Sequence, residues 1–266
     1  MPVKVLLILL FICSTVSDGF AQERKVQKIV IDPGHGGDKP GAIGHFSKEK
    51  DVALAISLKL GEIIKKNMKD REVIFTRTTD VDIHWVERHE IANRAKANLF
   101  VSIHINSTPP KRRRIKSGSK YRTVYDKATD ANGTEVLVLG LSRVNQKEES
   151  IGEYSGNITE EDGLLDEKDP MTAIIIAQYS DAFLKSSVDL GNMIGAEFTK
   201  QGRLDRGVKQ KSLEVLAGCV MPGVLVECGF INNVEEEKYM NSPQGQTEIA
   251  TAIYNGILKY INSVER

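Results

Sequence analysis

The amino-acid sequence predicts one α/β domain in which parallel strands are joined by crossover helices. Its 266 residues are 41% hydrophobic and 27% charged, which is enough apolar material for one sizeable core. Two apolar runs, Ile29–Ile31 and Leu99–Ile103, have the composition and length of buried strands. Between them, Val52–Ile64 repeats apolar residues at helical spacing. Such a helix between two buried strands favours a parallel pair whose carboxyl ends meet at one edge of the sheet.

Residues 1–21 have the pattern of a secretory signal peptide. Lys4 precedes the apolar run Val5–Cys13, and small residues flank a cleavage point after Ala21. The run is too short to span a bilayer, so no transmembrane anchor is expected after processing. We therefore expect residues 22–266 to work in a periplasm or outside the cell, and the absence of recognisable wall-binding repeats favours a periplasm.

Composition limits the partners and the disulfide bonds that the protein can have. The 36 basic and 36 acidic residues cancel, so no overall electric field suggests a nucleic-acid partner. After removal of the leader only Cys219 and Cys228 remain. They could pair in an oxidising compartment, but the apolar run around Cys228 favours a small buried thiol instead.

The first strand delivers a histidine. The stretch Lys28–Gly37, KIVIDPGHGG, ends its apolar run at an aspartate, turns through Pro33 and Gly34, and presents His35. Its glycines permit backbone angles closed to other residues, so a ligand can approach closely. Glu49 then lies in the first turn of the following helix, where compensation of the helix dipole is the simplest role for it.

A second unit repeats this arrangement. The pattern predicts a strand at Glu72–Arg77, a helix at Trp85–Ala97 and a buried strand within Asn98–Ser107 that carries His104 near its end. Because both strands are predicted to be parallel, His35 and His104 should meet at one edge of the sheet.

The middle of the chain, at about residues 108–169, is predicted to be a surface insertion. Thr108–Asn132 is basic without a hydrophobic period, which predicts an exposed loop that is either solvated or in contact with an anionic polymer. A strand is predicted at Gly133–Leu139 and a helix at Val144–Glu153. Acidic residues then dominate as far as Asp169. A long helix, whole or broken, is expected at Ile174–Phe198.

The last third supplies one more chemical group. Two strands are predicted, at Ser212–Leu216 and Gly223–Cys228, followed by helices at Val234–Met240 and Glu248–Ser263. Alternation along the second strand places Glu227 on the face opposite Cys228. A carboxylate in a core strand is costly unless it is paired, liganded or catalytic.

Four groups are therefore expected at one edge: His35, Glu49, His104 and Glu227. Two imidazoles and a carboxylate are the ligand set of hydrolytic zinc sites, and a further carboxylate can move a proton from water to a leaving amine. Structural histidines and a dipole-compensating glutamate remain the alternative reading. Three other histidines compete, in polar surroundings that predict solvated side chains: His45, His84 and His89.

Several motifs in order resemble the zinc-dependent N-acetylmuramoyl-L-alanine amidases of bacterial cell-wall remodelling. They are IDPGHGG, the Glu49-Lys50 pair at the start of a helix, TRTTD, the helix with Arg88, Ala92 and Asn93, VSIHIN and MPGVLVECGFINN, from about Lys28 to the C-terminus. The resemblance implies a mixed, mostly parallel sheet with helices on both faces, Zn²⁺ held by His35, Glu49 and His104, and Glu227 as the acid/base residue. It also implies cleavage of the amide between the lactyl group of muramic acid and L-alanine, in peptidoglycan.

The insertion departs from the motif pattern. Some members of the family carry a helix there that blocks the zinc until a partner protein displaces it. By position, Val144–Glu153 could act in this way, with Glu148, Glu149 or Glu153 as the occluding ligand, although a plain surface insertion is the simpler reading. Two rival functions stay open: a zinc peptidase or deacetylase on the same polymer, and a catalytically silent wall-binding or activator protein.

Overall fold

The computed structural model describes residues 25–118, 120–126, 128–159 and 170–265; the predicted leader lies outside them. The strands are β1 (Lys28–Pro33), β2 (Glu72–Phe75), β3 (Leu99–Asn106), β4 (Lys111–Ser117), β5 (Lys120–Asp126), β6 (Thr134–Leu139), β7 (Asp205–Lys211) and β8 (Gly223–Phe230). The helices are α1 (Glu49–Asn67), α2 (Trp85–Arg94), α3 (Val144–Thr159), α4 (Pro170–Lys200), α5 (Glu214–Ala217), α6 (Val234–Asn241) and α7 (Pro243–Val264).

Six strands form the central sheet in the order β2-β1-β3-β8-β6-β7. Strands β2, β1, β3 and β8 are mutually parallel, and β6 pairs with β7 in parallel but with β8 antiparallel. The carboxyl ends of β1, β3 and β8 therefore lie at one edge, where the amino end of β6 also arrives. The predicted α/β fold with a mixed, mostly parallel sheet is confirmed.

The core is divided between the two faces of the sheet. Ile29 and Ile31 pack with residues of α1, α4 and α7, whereas Val30 packs on the other face with residues of α2 and α5. The same alternation puts Val226 on the first face and Leu225 on the second. Helices thus cover both faces, and the apolar runs of the sequence mark strands buried on two sides.

Two secondary-structure predictions are wrong. Ser212–Leu216 is not a strand, because Leu216 turns inward in the short helix α5 and packs against the sheet face that holds Leu225. The missing strand is β7, an edge strand with mostly polar residues. Thr108–Asn132 is exposed as predicted, but it contains the antiparallel hairpin β4–β5 and is not a loop.

Other features bear on the earlier expectations. The stretch Ile174–Phe198 belongs to one continuous helix, α4. Cys219 and Cys228 are free, buried thiols, and burial raises the pKa of Cys219 to about 12. Among the described helices, none is both long and apolar enough to traverse a bilayer.

Candidate metal centre

The turn after β1 holds His35 in a conformation that its own sequence would not favour. His35 has φ +57°, a left-handed angle that non-glycine residues rarely adopt. Two arginines fix this turn from outside. Arg88 donates to the carbonyls of Pro33 at 2.7 Å and His35 at 2.7 Å, and Arg77 donates to the carbonyl of Gly34 at 2.8 Å. The strained backbone is therefore held by charge-assisted hydrogen bonds on consecutive carbonyls.

Asp32, the residue at the end of the apolar run in β1, anchors the same turn. One of its oxygens accepts from Thr76 Oγ1 at 2.6 Å and Arg88 Nη1 at 2.8 Å, and the other accepts from Ser102 Oγ at 2.7 Å. Burial works to raise the pKa of this carboxyl, but Arg88 and the two hydroxyl donors outweigh it and hold the pKa below its usual range. Asp32 is thus an ionised partner for Arg88, in a buried network without unsatisfied oxygens.

Glu49 is the first residue of α1 and points into the edge of the sheet. Its Oε2 accepts from the backbone N–H of Ala42 at 2.7 Å, and its Oε1 accepts from that of Ile105 at 3.1 Å. Gly41 makes this approach possible, because a Cβ there would lie 2.5 Å from Glu49 Oε2 and 2.6 Å from the His35 ring. The side chain is buried and oriented by the backbone around it, which goes beyond dipole compensation.

His104 completes the group from β3. Its Nδ1 lies 2.8 Å from Glu49 Oε1, and His35 Nε2 lies 3.2 Å from Glu49 Oε2. The two imidazole rings stand edge to face with centroids 4.9 Å apart. Gly34 lies against the His104 ring so closely that a Cβ would sit 2.5 Å from it. One possible ligand atom from each of His35, Glu49 and His104 falls within 4.8 Å of the others.

The charges of the group are coupled. Burial would raise the pKa of Glu49, but hydrogen bonds with His104 and His35 outweigh this and lower it. Burial would likewise lower the pKa of His104, yet the hydrogen bond and charge of Glu49 raise it. An ionised carboxylate between two imidazoles is thus the stable state, and a cation is the natural occupant of the space that the three groups face.

The donor set fits a zinc ion. Tetrahedral Zn²⁺ takes imidazole nitrogen at about 2.0–2.1 Å and carboxylate oxygen at about 2.0–2.2 Å, which requires ligand atoms only slightly more than 3 Å apart. The three side chains could hold such an ion with small adjustments from the distances above. Among the described residues, His35, Glu49 and His104 form the group of His, Cys, Asp or Glu side chains that lie close enough together to hold a metal ion.

Glu227 lies next to this group on the neighbouring strand. It pairs in register with His104 of β3 on one side and with Glu135 of β6 on the other. Its Oε2 is buried and has no hydrogen-bond partner. Burial raises the pKa of Glu227 to about 7; the charge of His104 works against this, and those of Glu49 and Glu135 add to it. The carboxyl is therefore poised to exchange a proton near neutral pH.

A cleft of about 340 Å³ borders the two histidines of the group. His35 and His104 lie in its lining, and the half-buried ring of Trp85 forms part of the wall. Leu225 contributes an apolar surface from β8, and Glu214 of α5 lies at the same cleft. A polar reaction centre with an aromatic and aliphatic wall is the usual character of a small-molecule or polymer-end site.

Among the described residues, the other candidate histidines are not part of the His-Glu-His group, although His84 lines the same cleft. His45 is exposed, and His84 accepts a hydrogen bond from the N–H of Val86 at the start of α2. The prediction that His89 is solvated is wrong: its side chain is buried against Gly218, where a Cβ would lie 2.3 Å from the ring. Burial lowers the pKa of His89, which is therefore a neutral packing residue.

The described contacts of α3 are not with the His-Glu-His group. Lys147 is buried and donates to the carbonyls of Cys219 at 2.8 Å and Met221 at 3.3 Å, and Tyr154 donates to Glu90 at 2.6 Å. The Lys147 contacts lie just before β8 begins, at the end of that strand opposite Glu227, and the Tyr154 contact is to α2. Three acidic residues proposed above as occluding ligands are absent from the grouped ligands of the described residues: Glu148, Glu149 and Glu153.

Fold and site together define an α/β domain with a mixed, mostly parallel sheet, a His-Glu-His group that could hold a metal ion, and a buried glutamate on the neighbouring strand. The sequence profile of the N-acetylmuramoyl-L-alanine amidases matches residues 29–259. The chain is 34% identical to the probable N-acetylmuramoyl-L-alanine amidase AmiB of Haemophilus influenzae, over 87% of this chain and 51% of that protein. It is 32% identical to the N-acetylmuramoyl-L-alanine amidase AmiA of Escherichia coli, over 88% of this chain and 76% of that protein.

A solved structure agrees with these relatives. The crystal structure of an N-acetylmuramoyl-L-alanine amidase from Clostridium difficile 630 superposes with a TM-score of 0.63 at 26% identity, covering 90% of this chain and 98% of that one. The chain belongs to the N-acetylmuramoyl-L-alanine amidase family, as the motifs predicted. It spans about half the length of the Haemophilus influenzae relative and about three quarters of the Escherichia coli one.

Proposed function

We propose that this protein is a zinc-dependent N-acetylmuramoyl-L-alanine amidase that cuts the amide between the lactyl group of muramic acid and L-alanine in peptidoglycan. His35, Glu49 and His104 are the zinc ligands, and Glu227 is the general acid/base. The observation that carries the proposal is the spatial grouping of these three ligands beside Glu227, in a chain of this family. The biological role that follows is wall remodelling or separation of daughter cells.

In this mechanism the metal ligands and Glu227 have separate roles. When bound, Zn²⁺ supplies Lewis acidity to the scissile carbonyl and makes water a better nucleophile near neutral pH. Glu227 takes a proton from the attacking water as the new C–O bond forms. It returns that proton to the alanine nitrogen as the C–N bond breaks, so a free amine and a lactyl carboxylic acid are produced, and the acid then ionises by releasing its remaining proton to solvent. Burial of Glu227, which raises its pKa, favours its taking up the proton from water.

Arg88 and Arg77 serve the same reaction from the back of the site. Their hydrogen bonds to the carbonyls of Pro33, Gly34 and His35 keep the imidazole of His35 aimed at Glu49. The ligand geometry is therefore set before a metal or substrate arrives, which is the condition for tight and selective binding.

The decisive experiment is digestion of purified peptidoglycan by purified protein, with mass analysis of the products and quantification of bound zinc. An amidase releases stem peptides with a free L-alanine amino group and leaves intact glycan strands. Cleavage within the stem peptide, or loss of acetyl groups, would instead identify a peptidase or a deacetylase. Stoichiometric zinc without any cleavage would favour the silent wall-binding or activator protein.

Glu227→Gln tests the assigned role. The variant should retain zinc and lose turnover by roughly 10²–10⁴-fold, the usual contribution of a general acid/base. Glu214→Gln is the matched control, because Glu214 lines the same cleft but is exposed and ion-paired with Arg143. Wild-type turnover in Glu227→Gln would remove this residue from the mechanism, and an equal loss in both variants would mean a general effect on the cleft.

The location and a partner are further parts of the proposal. The leader pattern at residues 1–21 supports export and action in a periplasm or outside the cell; fractionation of cells that express a tagged chain tests this. Control of the site by a protein that displaces the 144–153 segment can be tested by deletion of residues 148–168. A folded deletant with unchanged or lower wall hydrolysis would argue against it.

A further inference from the structure

The hairpin β4–β5 is the most strongly charged surface element that the structure describes. Residues 111–126, named here the basic hairpin, contain seven lysines and arginines and one acidic residue, Asp126. Every residue of β4 is exposed. Because the whole chain has a formal net charge of zero, this positive charge is a local feature and not a consequence of overall composition.

Most of this charge has no ion-pair partner among the described residues. Within the described ranges, the ion pair found for a cation of the hairpin is Arg113 with Asp126 at 3.2 Å, inside the hairpin itself. Arg114 lies over the ring of Tyr121 at 5.2 Å, which orders its guanidinium without neutralising it. An exposed two-stranded element of like charges gains little stability from the fold, so a ligand is the better reason for its composition.

The hairpin is attached to the catalytic edge of the sheet. Lys111 follows His104 by seven positions, just beyond the end of β3. Asn232 holds both ends of the hairpin: its side-chain amide exchanges hydrogen bonds with the backbone of Thr108, at 3.2 and 3.1 Å, and its carbonyl accepts from the N–H of Thr129 at 3.1 Å. Asn232 itself follows β8, five positions after Glu227.

The distribution of charge over the two faces of the hairpin indicates the kind of ligand. Alternation along the strands and the pairing register put Arg112, Arg114 and Lys116 on one face, and the remaining cations on the other: Lys111, Arg113, Lys120 and Arg122. A membrane-surface element instead separates its charges from an apolar face. Cations on both faces suit an irregular, three-dimensional polyanion better than a flat bilayer.

We propose that the basic hairpin binds the carboxylates of peptidoglycan stem peptides and so holds the polymer beside the catalytic edge. This inference rests on the proposed function, since it names how the same site would recruit its substrate. Long basic side chains on a hairpin that begins seven positions after His104 would contact anionic groups of the polymer while the scissile amide lies in the cleft. Binding should therefore weaken with salt, as contacts between exposed charges do.

The test uses sedimentation with purified, insoluble peptidoglycan, in a Glu227→Gln background that leaves the polymer uncut. The variant R112Q/R113Q/R114Q should sediment about tenfold less at low salt, the loss expected when three exposed ion pairs are removed together. R112K/R113K/R114K keeps the charge and should sediment like the parent. The matched control removes three exposed lysines near the end of α1, K65Q/K66Q/K69Q, and should leave sedimentation unchanged.

Two further arms identify the ligand. Peptidoglycan whose carboxylates have been converted to amides should no longer bind the parent protein. Vesicles of phosphatidylglycerol with phosphatidylcholine should bind the parent protein and the hairpin variant equally. Undiminished sedimentation of R112Q/R113Q/R114Q, an equal loss in the α1 control, or a loss confined to the vesicles would each overturn the proposal. Because sedimentation needs no hydrolysis, the absence of amidase activity would count against the proposed function alone.

Discussion

Glu227 offers a direct physical test, since its unusual environment should be measurable as a pH dependence of folding. The buried Oε2 has no hydrogen-bond partner, and burial raises the pKa of this carboxyl from its usual 4.5 to about 7. Between those two pH values the folded protein holds a proton that the unfolded chain has released. The stability that Glu227 contributes is therefore fully present below pH 4.5 and is lost as the pH rises through 7.

The magnitude follows from the size of that shift. Each pKa unit corresponds to about 1.4 kcal/mol, so ionisation of Glu227 lowers the free energy of unfolding by roughly 3 kcal/mol. Gln has nearly the same shape and no charge to lose. In metal-free protein, Glu227→Gln should therefore gain stability over the wild type between pH 4 and pH 8. Urea unfolding of chelator-treated protein at a series of pH values measures the difference, and its slope with pH is the signature.

Glu237 provides a control of opposite sign. This buried carboxylate accepts backbone hydrogen bonds from His45, Phe46 and Ser47 and one from the Ser47 hydroxyl, at 2.7–2.9 Å. Burial would raise the pKa of Glu237, but these donors outweigh it and lower it. Relative to the wild type, Glu237→Gln should thus be less stable, with a deficit that is fully present above pH 4.5 and shrinks as the pH falls below it. Parallel curves for Glu227→Gln and the wild type would refute the reasoning about Glu227.

Three further predictions concern the walls of the site. Gly34→Ala should weaken zinc binding by roughly 10–100-fold, because its Cβ would press on the His104 ring, and competition with a zinc indicator measures this; unchanged affinity would show that the ring has room to move. Arg88→Lys should lower the free energy of unfolding by about 2 kcal/mol by losing the fork that reaches Asp32 and two carbonyls, and a chemical melt that matches the wild type would contradict this. Trp85→Ala should raise KM up to about tenfold on a soluble muramyl peptide, with a smaller effect on kcat, because the ring lines the cleft without reaching the ligands; a fall in kcat alone would place Trp85 in the chemistry.

Most of the sheet could be predicted because its central strands carry a local signal. Strands β1, β3 and β8 are buried on both faces, so their sequences are short continuous apolar runs. Strand β7 lies at the edge, is largely polar and contains Gly207 with φ +81°, so neither composition nor alternation marks it. The basic hairpin has both faces in solvent, and no alternation of polar and apolar residues could reveal it.

Some features of the candidate site could likewise be predicted from the sequence, and others could not. The histidines at strand ends are visible in the sequence because an apolar run precedes each of them. The donors that fix His35 are not visible, since Arg88 contacts a carbonyl 53 positions earlier in the chain and nothing local requires it. The burial of His89 depends on space at Gly218, more than a hundred positions later. Contacts between residues so far apart in the chain can be found only from coordinates. The family motifs contain Arg77 and Arg88, but they assign no role to either residue.

The conformation of His35 shows why those arginines belong with the site. A left-handed histidine is unfavourable by about 1–2 kcal/mol, and the turn would relax if its carbonyls were free. Arg77 and Arg88 instead bind three consecutive carbonyls, and the ionised Asp32 keeps Arg88 in place. The hydrogen bonds formed when the sheet folds, and not metal binding, therefore compensate the cost of the strained conformation of His35. It follows that chelation should leave the turn intact, and that zinc affinity should fall when Arg88 is changed although Arg88 touches no ligand atom.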